Sequence, residues 1–183
     1  MSTLFVDSIQ PKTTGQAITV ASTNQTGHVL QVKQDILTTE WISASSSTAF
    51  EDTPLSVTIT PQSTSSKILI TGMINCSSSA TSHGDFKVVR NGANILLSTD
   101  STQHTKSHIH VYNDGSPSIY QIQAYSLNLL DEPSSTSALT YTLQGGTPHS
   151  TSYLVYLNRQ PDGTNAAWNG RTVSTITVME IGG

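Results

Sequence analysis

The chain has 183 residues and a mass of 19.5 kDa, which fits one domain with a short appendage and excludes a multi-domain machine. Only 11% of its residues are charged and 35% are hydrophobic, below the about 25% and about 45–50% of an average soluble domain, and 27 serines and 27 threonines make up the difference. The formal net charge is −4 without any cluster of basic residues, which excludes electrostatic binding of nucleic acid, and no segment is apolar enough for membrane insertion.

The first 37 residues differ in character from the rest of the chain. They contain two short β-like runs, LFVDSIQPKTTGQAITV and GHVLQVKQD, separated by a polar stretch. Two short strands cannot form a hydrophobic core alone, so their apolar side chains need another surface. We therefore predict that residues 1–37 are an N-terminal attachment arm, and that residues 38–183 are a head domain that folds without it. Because the opening lacks the pattern of a signal peptide, we expect the protein to be made in the cytoplasm.

From residue 38 onward, short β-like runs alternate with clusters of Ser, Gly, Asn and Pro, which is typical of an antiparallel sandwich or barrel. The predicted strands lie near residues 40–44, 55–60, 67–76, 85–90, 93–98, 107–112, 118–129, 138–143, 153–157 and 172–181. The pair Asn91-Gly92 predicts a type I′ hairpin turn, because both residues tolerate a positive φ. No segment keeps the period of an amphipathic helix. The sequence thus predicts an all-β, antiparallel β-sandwich (jelly-roll-like) head with an extended N-terminal β arm.

Catalytic motifs are missing from the sequence. There is no nucleotide-binding glycine loop and no nucleophile elbow, and the single cysteine, Cys76, lies in a predicted strand as a small buried hydrophobe. The adjacent carboxylates Glu51-Asp52 and Asp131-Glu132 fall in predicted loops, where a solvated surface is the default. A glycosidase stays open as an alternative because its two carboxylates need no sequence motif. We predict no enzyme, no catalytic residue and no cofactor.

Two histidines lie in the predicted strand 107–112. His108 and His110 are two residues apart, so a strand directs them to the same face. Two histidines are too few for a metal site, but a trimer with this strand at its axis would bring six imidazoles together. The simpler interpretation, which we prefer, is that they are polar residues on the wet face of an edge strand, with Ile109 and Val111 inside.

The loop between the last two predicted strands, residues 159–171, is long, polar and contains a tryptophan. Long loops in compact domains are usually functional or disordered, and an indole can stack on the apolar face of a sugar while neighbouring polar groups bind its hydroxyls. The alternatives for Trp168 are that it plugs the end of the sandwich or packs between subunits. The candidate glycan or receptor contacts are Asp162, Asn165, Trp168, Asn169 and Arg171.

Several segments together resemble a known family. These are the opening STLFVDSIQPKTTG, the stretch SSSTAFEDTPLSVTITPQSTSSKILI, the hairpin VVRNGANIL, the stretch LLDEPSSTSALTYTLQ and the ending RTVSTITVMEIGG. They are similar to tail-fibre-like virion structural proteins of tailed bacteriophages, especially those of marine cyanobacteria. The resemblance covers nearly the whole chain. It implies a virion component, usually a homotrimer, with an N-terminal attachment arm and a C-terminal β head, and it carries over no catalytic residues.

Three functions compete, the third of them from a different class. The first is a trimeric tail fibre or receptor-binding component, whose arm binds other virion proteins and whose head contacts a host surface polysaccharide. The second is a trimeric capsid-decorating protein that braces the capsid shell, and the third is a polysaccharide-degrading tailspike, for which the chain shows none of the expected repeats.

We also expect a homotrimer because both faces of the predicted strand 153–157 are apolar. One face would meet the other sheet, and the other face would meet a neighbouring chain.

Overall fold

The structure, a computed structural model, describes residues 26–44, 48–79, 81–100, 103–115 and 120–183. It is all-β and confirms the predicted antiparallel sandwich. The strands in these ranges are β1 Val29–Leu37, β2 Trp41–Ile42, β3 Glu51–Ile59, β4 Lys67–Ser78, β5 Ser82–Arg90, β6 Ala93–Asn94, β7 Ile109–Asn113, β8 Gln123–Asp131, β9 Leu139–Gly146, β10 Val155–Leu157 and β11 Ser174–Ile181.

The strands form two sheets, which we call sheet A and sheet B. In sheet A, β4 pairs with β8 along one edge and with β11 along the other, and β1 lies outside β11. The short strand β10 pairs with the end of β4 that β11 leaves free, and β2 lies beside β10. Sheet B has the order β3-β9-β5, with β6 and β7 sharing the far edge of β5. The eight longest strands therefore run β1-β11-β4-β8 and β3-β9-β5-β7, the jelly-roll order.

The core between the sheets follows from the alternation of apolar and polar residues along each strand. Successive side chains of a strand point to opposite faces, so β11 buries Ile176 and Val178 and directs its threonines outward. Sheet B contributes inward side chains such as Phe86, Tyr141 and Leu143, which are fully buried. Each predicted strand overlaps an observed one.

The predicted hairpin turn between β5 and β6 is confirmed in its backbone geometry. Asn91 and Gly92 have φ angles of 49° and 79°, the positive values that a type I′ turn requires. The Asn91 side chain also accepts a hydrogen bond from the Thr140 amide at 2.8 Å, which ties the turn to the neighbouring strand β9. The local sequence alone was sufficient to locate this turn.

The last nine residues of the predicted arm lie in sheet A. Val29–Leu37 forms β1 and pairs with β11 from Val29 opposite Ile181 to Leu37 opposite Ser174, and the Leu37 side chain belongs to the core. The surface that this β-like run needs is therefore an edge of the chain's own head. Residues 1–25 of the predicted arm lie outside the described residues.

Candidate functional site

A buried asparagine fixes both ends of the loop of residues 159–171 to sheet A. Asn158 follows β10 with a φ of 62° and is 1% exposed. Its amide nitrogen donates to the carbonyl oxygens of Leu37 and Thr39, both at 2.8 Å, and its amide oxygen accepts from the Ser174 hydroxyl at 2.7 Å. Since one side chain thereby connects three segments of sheet A, both ends of the loop are fixed to the sandwich.

A network of hydrogen bonds organises the interior of this loop. The buried Gln160 side chain donates to the Asn169 side chain and accepts from the Gly170 amide at 3.2 Å. Asn169 in turn donates to the Thr164 carbonyl. Asp162 accepts from the Thr164 amide at 3.0 Å, and a hydrogen bond from the Thr164 hydroxyl is the main reason why the pKa of Asp162 lies below its usual value. The loop therefore has a defined shape.

The five predicted contact residues take different roles in this arrangement. Asp162 and Asn169 use polar groups in hydrogen bonds within the loop. Arg171 forms an ion pair with Glu40, Nε to Oε2, at 3.2 Å. Asn165 is exposed, and the Trp168 side chain is 74% exposed. Trp168 consequently does not plug the end of the described sandwich. Its indole and the Asn165 amide are the groups that the loop presents to solvent.

The structure separates the two histidines that the sequence analysis placed on one face. His108 precedes β7, and its Nδ1 accepts a hydrogen bond from the Val88 amide at 2.9 Å, so its ring is turned to the edge of β5. Burial lowers the pKa of His108. His110 instead projects from the outer face of sheet B, where its Nδ1 lies 3.0 Å from the carboxylate of Asp85. The two rings therefore do not form one site.

A different set of side chains meets around His110, and we call it the histidine cluster: His83, His110 and His149 with Asp85 and Tyr112. In the register of β5 with β7, Asp85 lies opposite His110 and His83 opposite Tyr112. The His83 Nδ1 lies 3.2 Å from the His110 Nε2, and the ring centroids of His83 and His149 are 5.4 Å apart. Burial, followed by the charges of His83 and His110, lowers the pKa of His149.

Sequence reasoning missed most of this cluster. His83 lies just before the predicted strand 85–90, and His149 lies in the loop after β9. The available signal was the alternation of His83, Asp85 and Lys87 with Gly84, Phe86 and Val88, which places the first three on one face of a longer strand. Extending the predicted strand by two residues would have included His83.

In the carboxylate pair Asp131-Glu132, which was predicted to be solvated, only Glu132 is exposed. Asp131 ends β8, is 5% exposed, and binds the Arg90 guanidinium at 2.6 Å and the Tyr141 hydroxyl at 2.7 Å. Burial, with added hydrogen bonding to Asp131, raises the pKa of Tyr141, which keeps it a donor. Its neighbour Glu132 is exposed, as predicted, and pairs with Lys67. The prediction for Asp131 was wrong because its partners are distant in sequence.

The single cysteine also has a structural role. Cys76 is fully buried in β4, and burial raises the pKa of its thiol, which confirms its interpretation as a small buried hydrophobe. Within the described ranges, no three histidine, cysteine, aspartate or glutamate side chains already surround a point where a metal ion could sit. Across the same ranges we find no helix of the length and hydropathy that crossing a membrane requires.

The outer face of sheet A is ordered in rows by the strand registers. Row one, which we call the apolar row, crosses four strands as Val32, Met179, Leu69 and Leu130. The next row is polar and consists of Gln34, Thr177, Thr71 and Asn128. The third row consists of Ile36, Thr175, Met73 and Ser126. Val32, Ile36, Met73 and Leu130 are each about half exposed. None of these twelve side chains carries a charge.

The strand used to predict a subunit contact is covered within the chain itself. All three residues of β10 are buried, and the outward Tyr156 is 7% exposed with the Arg159 guanidinium 5.1 Å from its ring centroid. The argument for a trimer from the two apolar faces of residues 153–157 therefore fails at this strand. Four half-exposed apolar side chains, Val32, Ile36, Met73 and Leu130, lie instead on the rows of sheet A.

A scan against models of protein families and a search of curated proteins found no match to this chain.

Proposed function

We propose that this chain is a phage virion structural protein, a homotrimeric tail-fibre or receptor-binding component whose loop 159–171 contacts the host surface. The proposal rests on the sequence resemblance and on one structural observation. Trp168 is 74% exposed although its loop is held in shape by internal hydrogen bonds. Exposing a large aromatic side chain forgoes the stabilisation that its burial provides, which suits a residue that binds something outside the chain.

The chemistry of the loop fits a carbohydrate ligand. An indole held on a fixed loop can stack on the apolar face of a sugar ring, and the neighbouring Asn165 offers an amide donor and an amide acceptor to sugar hydroxyls. A single contact of this kind is weak. Three linked copies raise the avidity by orders of magnitude if they engage together, so a shallow surface is sufficient for attachment to a host polysaccharide.

The outer face of sheet A is the contact between copies in this proposal. Its three rows carry no charge, so neighbouring copies approach without like-charge repulsion, and the apolar row gains burial on association. The N-terminal arm attaches the trimer to other virion proteins. The protein would thus be made in the host cytoplasm and assembled into the particle.

Substituting Trp168 by Ala tests the receptor-binding role. We expect particles carrying Trp168→Ala to adsorb to host cells at least about tenfold more slowly, which corresponds to about 1.4 kcal/mol of lost binding, with an unchanged melting temperature because the indole makes little contact in the chain. Tyr120→Ala, at a half-exposed aromatic residue outside the loop, is the matched control. Normal adsorption by Trp168→Ala at normal stability contradicts the proposed contact.

A trimeric capsid-decorating protein is the second candidate, and the apolar row of sheet A favours it because an extended apolar face suits permanent packing against a shell. Decoration needs many copies per particle, whereas a fibre needs few. Quantitative gel analysis of purified particles separates the two. A copy number comparable to that of the major capsid protein, together with normal adsorption by Trp168→Ala, supports decoration.

A further inference from the structure

We propose that His83, His110 and His149 bind a divalent transition-metal ion on the outer face of sheet B, with Asp85 as the positioning residue that orients His110. This proposal is independent of the role in receptor binding. It concerns a site formed within one chain, unlike the trimer-axis site considered for His108 and His110.

The spacing of the imidazoles matches that of ligands around one ion. A zinc–nitrogen bond is about 2.0–2.1 Å long, so two nitrogens bound at tetrahedral angles lie about 3.4 Å apart and their ring centroids about 5.2 Å apart. The His83 Nδ1 and the His110 Nε2 are 3.2 Å apart. The ring centroids are separated by 5.2 Å for His83 and His110 and by 5.4 Å for His83 and His149.

The backbone fixes the first two ligands. His83 lies opposite Tyr112 and His110 opposite Asp85 in the β5–β7 ladder, so the two histidines are diagonal neighbours on one face. His149 lies in the loop after β9. Because no three ligands already surround one point in the described chain, the His149 side chain must rotate to complete the set, and water fills the remaining position.

Asp85 supplies the partner that metal-binding histidines usually have. Its Oδ1 lies 3.0 Å from the His110 Nδ1 and accepts from the Ser107 hydroxyl at 2.7 Å, and the residue is 1% exposed. A carboxylate that accepts from Nδ1–H fixes the tautomer and directs the Nε2 lone pair outward, as in carboxylate–histidine–metal arrangements. That lone pair faces the His83 Nδ1 at hydrogen-bond distance, so an ion bound beside the two nitrogens would replace this hydrogen bond, with the His83 proton carried on its Nε2.

Imidazole ligands suit Zn²⁺, Cu²⁺ and Ni²⁺ and do not suit Mg²⁺ or Ca²⁺. The site is on the surface of a β ladder and has three protein ligands, so it resembles an accessible binding position more than a closed structural site. Binding would link β5, β7 and the loop after β9. The ion would therefore raise the thermal stability of the chain by mass action.

The test is a titration of the untagged full-length protein, stripped with EDTA and dialysed, with ZnCl₂ and NiCl₂ in a calorimeter at neutral pH. We expect one saturable site per chain. His83→Ala and His110→Ala should each weaken binding at least about tenfold, and so should His149→Ala. Asp85→Asn should weaken it by about 10–100-fold. His28→Ala and His104→Ala, at exposed histidines outside the cluster, are matched controls that should leave the affinity unchanged.

A second measurement separates binding from folding. The melting temperature of each variant is recorded in EDTA and with saturating Zn²⁺, and the expected result is a metal-dependent increase in the native chain that the ligand variants lose. Absence of saturable binding overturns the proposal, as does equal weakening by the control variants. Unchanged affinity in His149→Ala overturns the three-ligand site, and unchanged affinity in Asp85→Asn overturns the positioning role.

Discussion

At the scale of single residues, the most informative groups are three buried carboxylates that no sequence motif identifies as buried. Asp131, Glu180 and Asp85 are each 5% exposed or less, and burying a carboxylate is unfavourable unless it is paired or hydrogen-bonded. Each has such partners from a different strand or segment. Their partners make these carboxylates determinants of stability.

Asp131→Ala should strongly destabilise the head. The substitution leaves the Arg90 guanidinium and the Tyr141 hydroxyl without their shared acceptor, and breaking such a pair costs about 3–5 kcal/mol. Urea unfolding measures the loss. Glu132→Ala is the control, because the ion pair of Glu132 with Lys67 is exposed and should contribute at most about 1 kcal/mol. Equal effects of the two variants would contradict the structural role of Asp131.

Glu180→Gln should change how stability depends on pH. Burial by itself raises the pKa of Glu180, but hydrogen bonds from Gln31 and Gln62 outweigh it and the pKa lies below its usual value of 4.5. A pKa that is lower in the folded state means that the ionised group stabilises above the usual value, and that this stabilisation is lost as pH falls through the folded pKa. We expect Glu180→Gln to be less stable at neutral pH and to lose less stability on acidification.

The measurement for Glu180 is the melting temperature as a function of pH from neutral down to the acidic side of 4.5, the usual value for this group. Glu132→Gln, at an exposed glutamate, serves as the control for a general effect of removing one charge. Parallel pH profiles of the native chain and Glu180→Gln would show that the carboxylate of Glu180 makes no net contribution.

At the scale of elements, strand β1 changes the division of the chain. Its nine residues were predicted to belong to an arm, but they pair with β11 and cover one side of that strand. Because β11 otherwise becomes the edge of sheet A, its backbone groups on that side depend on β1 for their hydrogen-bond partners.

A comparison of two truncated chains tests this division. A chain that begins at Thr38 lacks β1, so we expect it to melt well below the full-length protein or to aggregate through the exposed edge of β11. A chain that begins at Thr26 retains β1 and should melt with the full-length protein. Circular dichroism on heating gives both values. Equal melting temperatures for the two truncated chains would place the domain boundary after residue 37.

At the scale of the whole molecule, the outer faces of the two sheets differ. The outer face of sheet B carries paired polar side chains, with the hydroxyls of Thr58 and Thr140 2.8 Å apart and Gln144 donating to Asp52 at 2.7 Å. The outer face of sheet A carries the apolar row and half-exposed side chains such as Met73. A subunit with one satisfied polar face and one face whose three rows carry no charge and include half-exposed apolar side chains suits association through the second.

Met73→Glu should therefore dissociate the proposed trimer without unfolding the subunit. Met73 is 47% exposed on the central strand β4, so a charge is tolerated in the monomer but is buried without a partner in the assembly. Multi-angle light scattering at micromolar concentration should give three times the 19.5 kDa chain mass for the native protein and the chain mass for Met73→Glu. Thr58→Glu, on sheet B, is the control and should remain trimeric. A monomeric native protein contradicts the prediction.

Local chemistry was sufficient for the sequence to determine the fold class. The hydroxyl-rich composition and the alternation of apolar residues depend only on neighbouring residues, and they predicted an antiparallel sandwich, the turn at Asn91-Gly92 and the burial of Cys76. The polar loop with Trp168 was also recognisable, because its composition and length are properties of one continuous segment. The role of that loop remains a proposal.

Which residues far apart in the sequence come into contact follows from the pairing of the strands in the folded chain. Strand period two assigns a side chain to a face, but it does not say which strand lies alongside or in which register. Three contacts between distant segments illustrate this: His83 with His110, Asp131 with Arg90, and β1 with β11. The apolar row likewise exists only because four strands align their outward residues. Which distant strands pair depends on how all the apolar faces pack together. This packing involves the whole chain, so no single segment contains the information.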